Sequence, residues 1–411
     1  MNYCKWWWQR EDLCYVEDYL FLGGQNLHSL AHSAASPCYV YNSTRIKQNI
    51  LRIHCALQEA SLAHRIFYAI KANRNPSLLS YVRSLGLTGI DCCSPSELLL
   101  ARQVGFLEEE ITYTGTSVSN DDLAIIARHP GIFLNCDSLS QIRRLGQLAP
   151  GREIGIRVNP NIGLSYGANP KLQYSGYKTT KFGIYKDSFL EALQLATQYN
   201  LKVTRIHCHS GWGFLNKQLP VFETLLNELC WYIDQLQAPK YINLGGGLGV
   251  PIVKDDSPLD LEVWAKLIAK YFAPRNLEVF VEPGDYIVKD AGILLLQINT
   301  IERKQNKVFV YVNGGCNINL NPALYQLPLE VVPVILHTQN NIDVDLDWMQ
   351  VTIAGNINEA IDIFAEDIYI PPVKEGDYLA FLNAGGYGSS MSSNHCMRGI
   401  FSEYLIYNFQ K

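Results

Sequence analysis

The sequence predicts an α/β protein: a (β/α)8, TIM-like barrel plus a C-terminal all-β domain completed by the N-terminal segment. Two observations carry this. From about Ser43 to Asp285, short apolar runs of strand character alternate with helical segments of roughly 10 to 15 residues, as parallel strands joined by crossover helices require. After Asp285 that alternation stops and short β-like runs follow one another.

The strand candidates of the first region are Arg65–Ile70, Gly89–Cys92, Ile111–Tyr113, Ile132–Asn135, Glu153–Val158, Val203–His207, Tyr241–Leu244 and Val279–Val281. Helical segments lie between them, among them 94–104, 121–128, 138–148, 188–199 and 215–236. Eight such strands suggest a closed barrel, which puts the chemistry at their C-terminal ends. The later β-like runs are 292–299, 307–312, 330–336, 349–353 and 377–382. Residues 1–42 contain Trp6-Trp7-Trp8, Leu20 to Gly24 and Pro37 to Tyr41, which read as short strands and turns rather than a helix. The expected division is therefore 1–42 joining the β domain, 43–285 as barrel and 286–411 as β domain. The tryptophan cluster is expected to pack against another domain or a subunit.

Composition bounds the function. With 48% hydrophobic and 18% charged residues the chain is globular, and a net charge of -5 without a basic tract argues against nucleic-acid binding. No apolar run approaches the ~18 residues that cross a bilayer, and no leader pattern is seen, so the expected location is cytoplasmic. The 11 cysteines have no paired CxxC spacing, so neither a disulfide framework nor a zinc knuckle is suggested.

Lys71 follows the apolar run Phe67-Tyr68-Ala69-Ile70, which places one amine at the end of a buried strand. A lysine desolvated there can have its pKa depressed enough to form a Schiff base, although most strand-end lysines are surface groups. In Asn243-Leu244-Gly245-Gly246-Gly247-Leu248-Gly249, glycines after a strand let backbone N–H groups approach an anion, a phosphate being the natural guest. A tight strand-to-helix turn is the plainer reading of that loop, and Val250 breaks the dinucleotide fingerprint. His207-Cys208-His209 sends both histidines to one face. Without a convincing third ligand, stacking or hydrogen bonding is favoured over zinc, and no metal is expected. Glu282-Pro283-Gly284 ends the last barrel strand with a carboxylate suited to holding a pyridine nitrogen protonated. Asn383 to Arg398, dense in small polar residues, reads as a functional loop.

In this order, the motifs resemble the fold-type III pyridoxal-phosphate decarboxylases, the family of diaminopimelate, ornithine and biosynthetic arginine decarboxylases with an alanine-racemase-like barrel. The resemblance spans nearly the whole chain, and Asp91 to Leu98 looks like the family's stretch on the second barrel strand. It implies pyridoxal 5'-phosphate as cofactor, Lys71 as its Schiff-base lysine and His209 stacked on its ring. It further implies that Gly245, Gly246 and Gly247 cradle the phosphate, that Glu282 pairs with the pyridine nitrogen and that Tyr387 reaches the phosphate. Asp285, Tyr325, Asn358, Glu359 and Tyr387 fall at substrate-side positions, and Glu359 joins Lys71, His209 and Glu282 as the catalytic candidates. The implied partners are a small amino-acid substrate and a second copy in a head-to-tail homodimer with shared active sites, with neither nucleic acid nor membrane.

The departures lie on the substrate side. Diaminopimelate decarboxylases of this family carry an arginine after the Glu-Pro-Gly turn, where Asp285 stands, and another before Pro-Ala-Leu-Tyr, where Asn321 stands. Losing two guanidinium forks removes a planar carboxylate clamp. Asn358 replaces the cysteine that precedes the acidic residue of the interface segment, and an amide is too weak an acid to return a proton to a carbanion. Lys71 or Cys396 are the substitutes for that step. Trp212 stands where a phosphate-binding serine is common. The reading is an amino-acid α-decarboxylase, diaminopimelate decarboxylase-like, with an altered substrate-side pocket. The alternatives are a true diaminopimelate decarboxylase, or a pyridoxal-phosphate-binding homologue with racemase or no activity.

Overall fold

The structure, a computed structural model, describes residues 6–34, 36–176, 178–337 and 348–407. It divides into two compact units, one of Gln48–Val250 and Ser257–Ile287, the other of Met1–Lys47, Pro251–Asp256 and Val288–Lys411.

The first unit holds the barrel strands β1 (His64–Ala69), β2 (Gly89–Cys92), β3 (Ile111–Thr114), β4 (Phe133–Cys136), β5 (Glu153–Asn159), β6 (Lys202–His207), β7 (Tyr241–Asn243) and β8 (Glu278–Val281). Each pairs in parallel with the next, and β8 pairs with β1 through Val279↔His64 and Val281↔Ile66, so the barrel closes. The strands are buried on both faces, as parallel strands covered by helices must be. Helix starts are fixed by side-chain caps: Ser94 accepts from the Glu97 amide, Ser138 from that of Gln141 and Asp260 from that of Val263. Parallel strands share one direction, so the residues that follow them all emerge at one end of the barrel. There lie the turn bearing Lys71, then His209, the glycine loop and Glu282.

The second unit is built on an eight-stranded mixed sheet. Its longest strand, Gly292–Lys304, pairs antiparallel with Lys307–Val312, Tyr378–Phe381 and Cys38–Asn42. The N-terminal segment thus supplies a strand that also pairs in parallel with Ser402–Ile406. Two strands that the sequence reading did not anticipate, Ile363–Ile370 and Ser402–Ile406, are partly exposed and carry little apolar signal. A helix, Leu27–Ser33, also corrects the reading of the first residues: Asn26 caps it by accepting from the Ser29 amide, and Leu27 and Ala31 are buried beneath it. The tryptophans have partners within this unit: Trp8 lies in a core with Leu13, Leu20 and Leu22, Trp6 stacks on it at 6.0 Å, and Trp7 Nε1 donates to Glu330 at 3.1 Å. Among the described residues, no helix is long and apolar enough to cross a membrane.

Candidate active site

Lys71 sits in the single 3-10 turn Ile70–Ala72 directly after β1, so the strand fixes its backbone and the turn lifts its side chain off the barrel wall. Its amine is 3.2 Å from Asp91 Oδ2 at the end of β2. The lysine side chain is 39% exposed, so the amine is reachable from solvent, whereas Asp91 is buried and also accepts from Thr112 Oγ1 at 3.2 Å. Burial, reinforced by the charge of Glu282, pushes the Asp91 carboxyl up to about 7 in spite of Lys71.

Glu282 follows β8 and is 6% exposed. Its two oxygens have separate donors: Asn243 Nδ2, at the end of β7, lies 2.6 Å from Oε1, and His207 Nε2, at the end of β6, lies 3.0 Å from Oε2. Burial opposes the charge on Glu282, but His207, by its field and its hydrogen bond, together with Asn243 and Lys71, outweighs it and holds the carboxyl down to about 2. Burial lowers His207 as well. Its Nδ1 is buried without a partner, and only the neutral ring protonated at Nε2 avoids an orphaned N–H there. The network is therefore a carboxylate held by a neutral imidazole and an amide.

His209 lies just past β6, its ring 4.8 Å from that of Tyr174. Burial and then the charge of Lys71 drive it well below the usual histidine range, and its Nδ1 too is buried without a hydrogen bond. A neutral, flat ring is the form suited to stacking on an aromatic ligand. In the loop after β7, a Cβ on Gly246 would stand 2.4 Å from Glu282 O, and one on Gly247, at φ +98, 2.5 Å from Gly211 O. The protein's own packing thus demands these glycines. The loop offers more than a turn, since the N–H groups of Gly246 and Gly247 donate to no described residue, while that of Gly245 is taken by Asn243 Oδ1 at 2.9 Å. Asp285, buried, opens the short helix Asp285–Val288.

The remaining candidates belong to the second unit. Tyr387 is half-buried and held at φ 56, a left-handed conformation rare for a bulky residue and found where surrounding structure enforces it. Its loop is tied down by Asn317 Nδ2, 3.1 Å from Ser393 O and 3.0 Å from Arg398 O, and by Asn321 Nδ2, 3.4 Å from Gly386 O. Tyr325, half-buried, ends the helix Asn321–Tyr325. Asn358 and Glu359 are exposed at the tip of a loop braced from inside by Asp362, whose oxygens accept from the Cys316 and Ile357 amides, each at 2.6 Å. Glu359 Oε1 meets His395 Nε2 at 3.1 Å. Asp91 and Asn243 were given no role of their own from the sequence, and His207 was read only as one of two histidines sharing a face. Their positions, each ending a barrel strand, are the signal that points to them.

Residues 45–289 match the family model described as pyridoxal-dependent decarboxylase, pyridoxal binding domain. The chain belongs to that family of pyridoxal-phosphate-dependent decarboxylases. Its similarity within the family runs to diaminopimelate decarboxylases. It is 34% identical to that of Methanothermobacter thermautotrophicus over 94% of this chain and 90% of the relative. To that of Aquifex aeolicus it is 32% identical over 96% of this chain and 92% of the relative. Among solved structures, the diaminopimelate decarboxylase of M. jannaschii in co-complex with L-lysine superimposes with a TM-score of 0.87 at 25% identity, covering 97% of this chain and 93% of that one.

Pyridoxal phosphate is accordingly the cofactor, and the barrel end fits it. A reachable amine, a buried carboxylate kept ionised, a neutral imidazole and two undonated backbone amides are the groups that its aldehyde, pyridine nitrogen, ring face and phosphate require.

Proposed function

We propose that this enzyme is an amino-acid α-decarboxylase, diaminopimelate decarboxylase-like in its cofactor half and altered where the substrate's distal end binds. When bound, pyridoxal phosphate supplies the electron sink that lets the α-carboxylate leave as CO2. In this reading Lys71 is the covalent anchor and Glu282, ionised at all working pH values, keeps the pyridine nitrogen protonated. His209 faces the ring, and Gly245, Gly246 and Gly247, with Tyr387, take the phosphate. Tyr325, Asp285, Asn358 and Glu359 contact substrate.

The observation that carries the altered pocket is the joint identity of three positions: Asp285 and Asn321 where the family's diaminopimelate enzymes hold guanidinium groups, and Asn358 in place of a thiol. The structural surroundings support it. Asn321 is buried and gives one amide N–H to the Gly386 carbonyl at 3.4 Å, and its neutral amide lacks the charged fork that would clamp a distal carboxylate. Asp285 adds a buried acidic residue where a cation is usual, which favours a substrate bearing an amine or hydroxyl there.

We also propose a homodimer. Ile361 at 62%, Met397 at 85% and Ile400 at 84% exposure are apolar residues on the braced loop, on the polar loop and just after it, and a second copy would cover them. Sedimentation should give a dimer, and Ile400→Asp should weaken it.

The functional test is a panel of basic, acidic, hydroxylated and substituted α-amino acids incubated with purified holoenzyme, with CO2 and amine product measured. Release from an amine- or hydroxyl-bearing substrate exceeding that from meso-diaminopimelate is the expected result. Efficient conversion of meso-diaminopimelate to lysine would instead establish the true diaminopimelate enzyme.

A further inference from the structure

At the end of the barrel opposite Lys71, the starts of β4 and β5 and the side chain of Arg205 on β6 line a cavity of about 450 Å³. Two of its lining residues are arginines almost entirely removed from water: Arg205 is 2% exposed and Arg152 8%. Arg205 lies inside the barrel, its guanidinium over the rings of Phe133 at 5.2 Å and Tyr241 at 5.9 Å. Space for it is made at Gly155, where a Cβ would stand 2.8 Å from Nε. Its Nε donates to Asn135 Oδ1 at 2.8 Å and its Nη2 to Leu134 O at 3.0 Å, while Nη1 donates to no described residue. Arg152 donates from Nη1 to Ile126 O at 3.2 Å and from Nη2 to His129 O at 2.8 Å, and its Nε is buried without a partner.

Neither guanidinium has a carboxylate within ion-pair distance among the described residues. Arg65 is the contrast. It lies over the same Phe133 ring at 5.4 Å, but Glu278 Oε1 pairs with it at 2.8 Å. The one acid lining the cavity, Glu153, is engaged by Lys240 at 2.6 Å. Two desolvated cations without an ion-pair partner are unfavourable, even with the more distant carboxylates of Glu282 and Glu108 in their field, and proteins normally pair such groups. Pro130, Phe133 and Ala149 give the wall apolar side chains beside its polar surface.

We propose that this cavity is a binding site for a small organic carboxylate with an apolar body, separate from the cofactor end. The anion takes Nη1 of Arg205, with Arg152 adding its positive charge to the wall, and the apolar body packs against Phe133 and Pro130. A buried guanidinium with an unspent N–H is suited to a carboxylate, and the Phe133 ring and Pro130 favour an organic body over a strongly hydrated inorganic ion.

Titration calorimetry of the holoenzyme with benzoate and with its uncharged analogue benzamide tests this. Benzoate should bind more tightly than benzamide by about tenfold or more. Ala149→Trp, at a half-buried wall position, should abolish benzoate binding, and Arg205→Met should remove the preference for the charged ligand. A crystal soaked in benzoate should show it beside Arg152 and Arg205. Should Arg205→Met fail to fold, Ala149→Trp and the benzoate–benzamide comparison still decide. The proposal is overturned by equal affinity for the two ligands, by benzoate binding that survives Ala149→Trp, or by no measurable benzoate binding at millimolar concentration.

Discussion

The Glu282 network and the loop that carries Asn358 and Glu359 both rest on a buried carboxylate, and they use it differently. Glu282 is, in the function proposed above, itself the functional group: each oxygen has a donor from a neighbouring barrel strand, which holds the charge. Asp362 is scaffolding: its oxygens hold two backbone amides, and the residues it displays, Asn358 and Glu359, are exposed at the tip. In the first region, on the proposed function, a substitution alters the chemistry of the cofactor. In the second, residues at the tip can change while the brace stays the same. On the function proposed above, that difference lets one chain keep the family's cofactor groups and depart from it at positions facing the substrate.

The comparison is broken most severely at Lys71. Lys71→Ala should abolish the visible absorbance band of the holoenzyme and its bleaching by borohydride; a band that survives would remove the lysine from its role. Glu282→Gln should follow, lowering kcat by about 10²- to 10³-fold while cofactor remains bound, as measured by steady-state rates beside the absorbance spectrum. A change confined to KM would mean that the carboxylate only positions ligand.

Stability provides the next contrast. Asp362→Ala leaves two backbone amides without their charged acceptor and should lower unfolding free energy by about 1.5–3 kcal/mol in urea denaturation. Asp91 provides a sign test in the cofactor-free protein. Its folded pKa, about 7, lies above the ordinary 3.8, so its contribution is fully present below pH 3.8 and is lost as pH rises towards 7. Asp91→Asn should therefore flatten the fall in Tm across that interval relative to wild type. Glu282 has the opposite sign: held at about 2 against an ordinary 4.5, it stabilises above 4.5 and loses that effect as pH falls towards 2. The smallest effect belongs to the exposed tip, where Asn358→Cys should raise kcat by about tenfold, less than the 10²–10⁴ of a fully placed acid–base group.

Much of the barrel was legible in the sequence because buried parallel strands are continuous apolar runs bounded by turns, and all eight appear within two residues of where those runs lie. Lys71, the glycine loop and Glu282 were legible as motifs because local chemistry marks each of them. Asp91, His207 and Asn243 were not, because their meaning comes from neighbouring strands far away in sequence: Asn243 meets a carboxylate 39 residues on, and His207 the same one 75 residues on. Alternation correctly put His207 and His209 in view together, but it could not say that a carboxylate faces the first. The helix Leu27–Ser33 was missed because 7 residues give little periodicity, and its cap, Asn26, also suits a turn.

The most direct test of the contrast between a retained cofactor half and an altered substrate half is a titration of the holoenzyme's absorbance band with individual amino acids. The account predicts that substrates bearing a distal amine or hydroxyl shift the band at lower concentration than meso-diaminopimelate does. A band that meso-diaminopimelate shifts at the lowest concentration of the panel would contradict it.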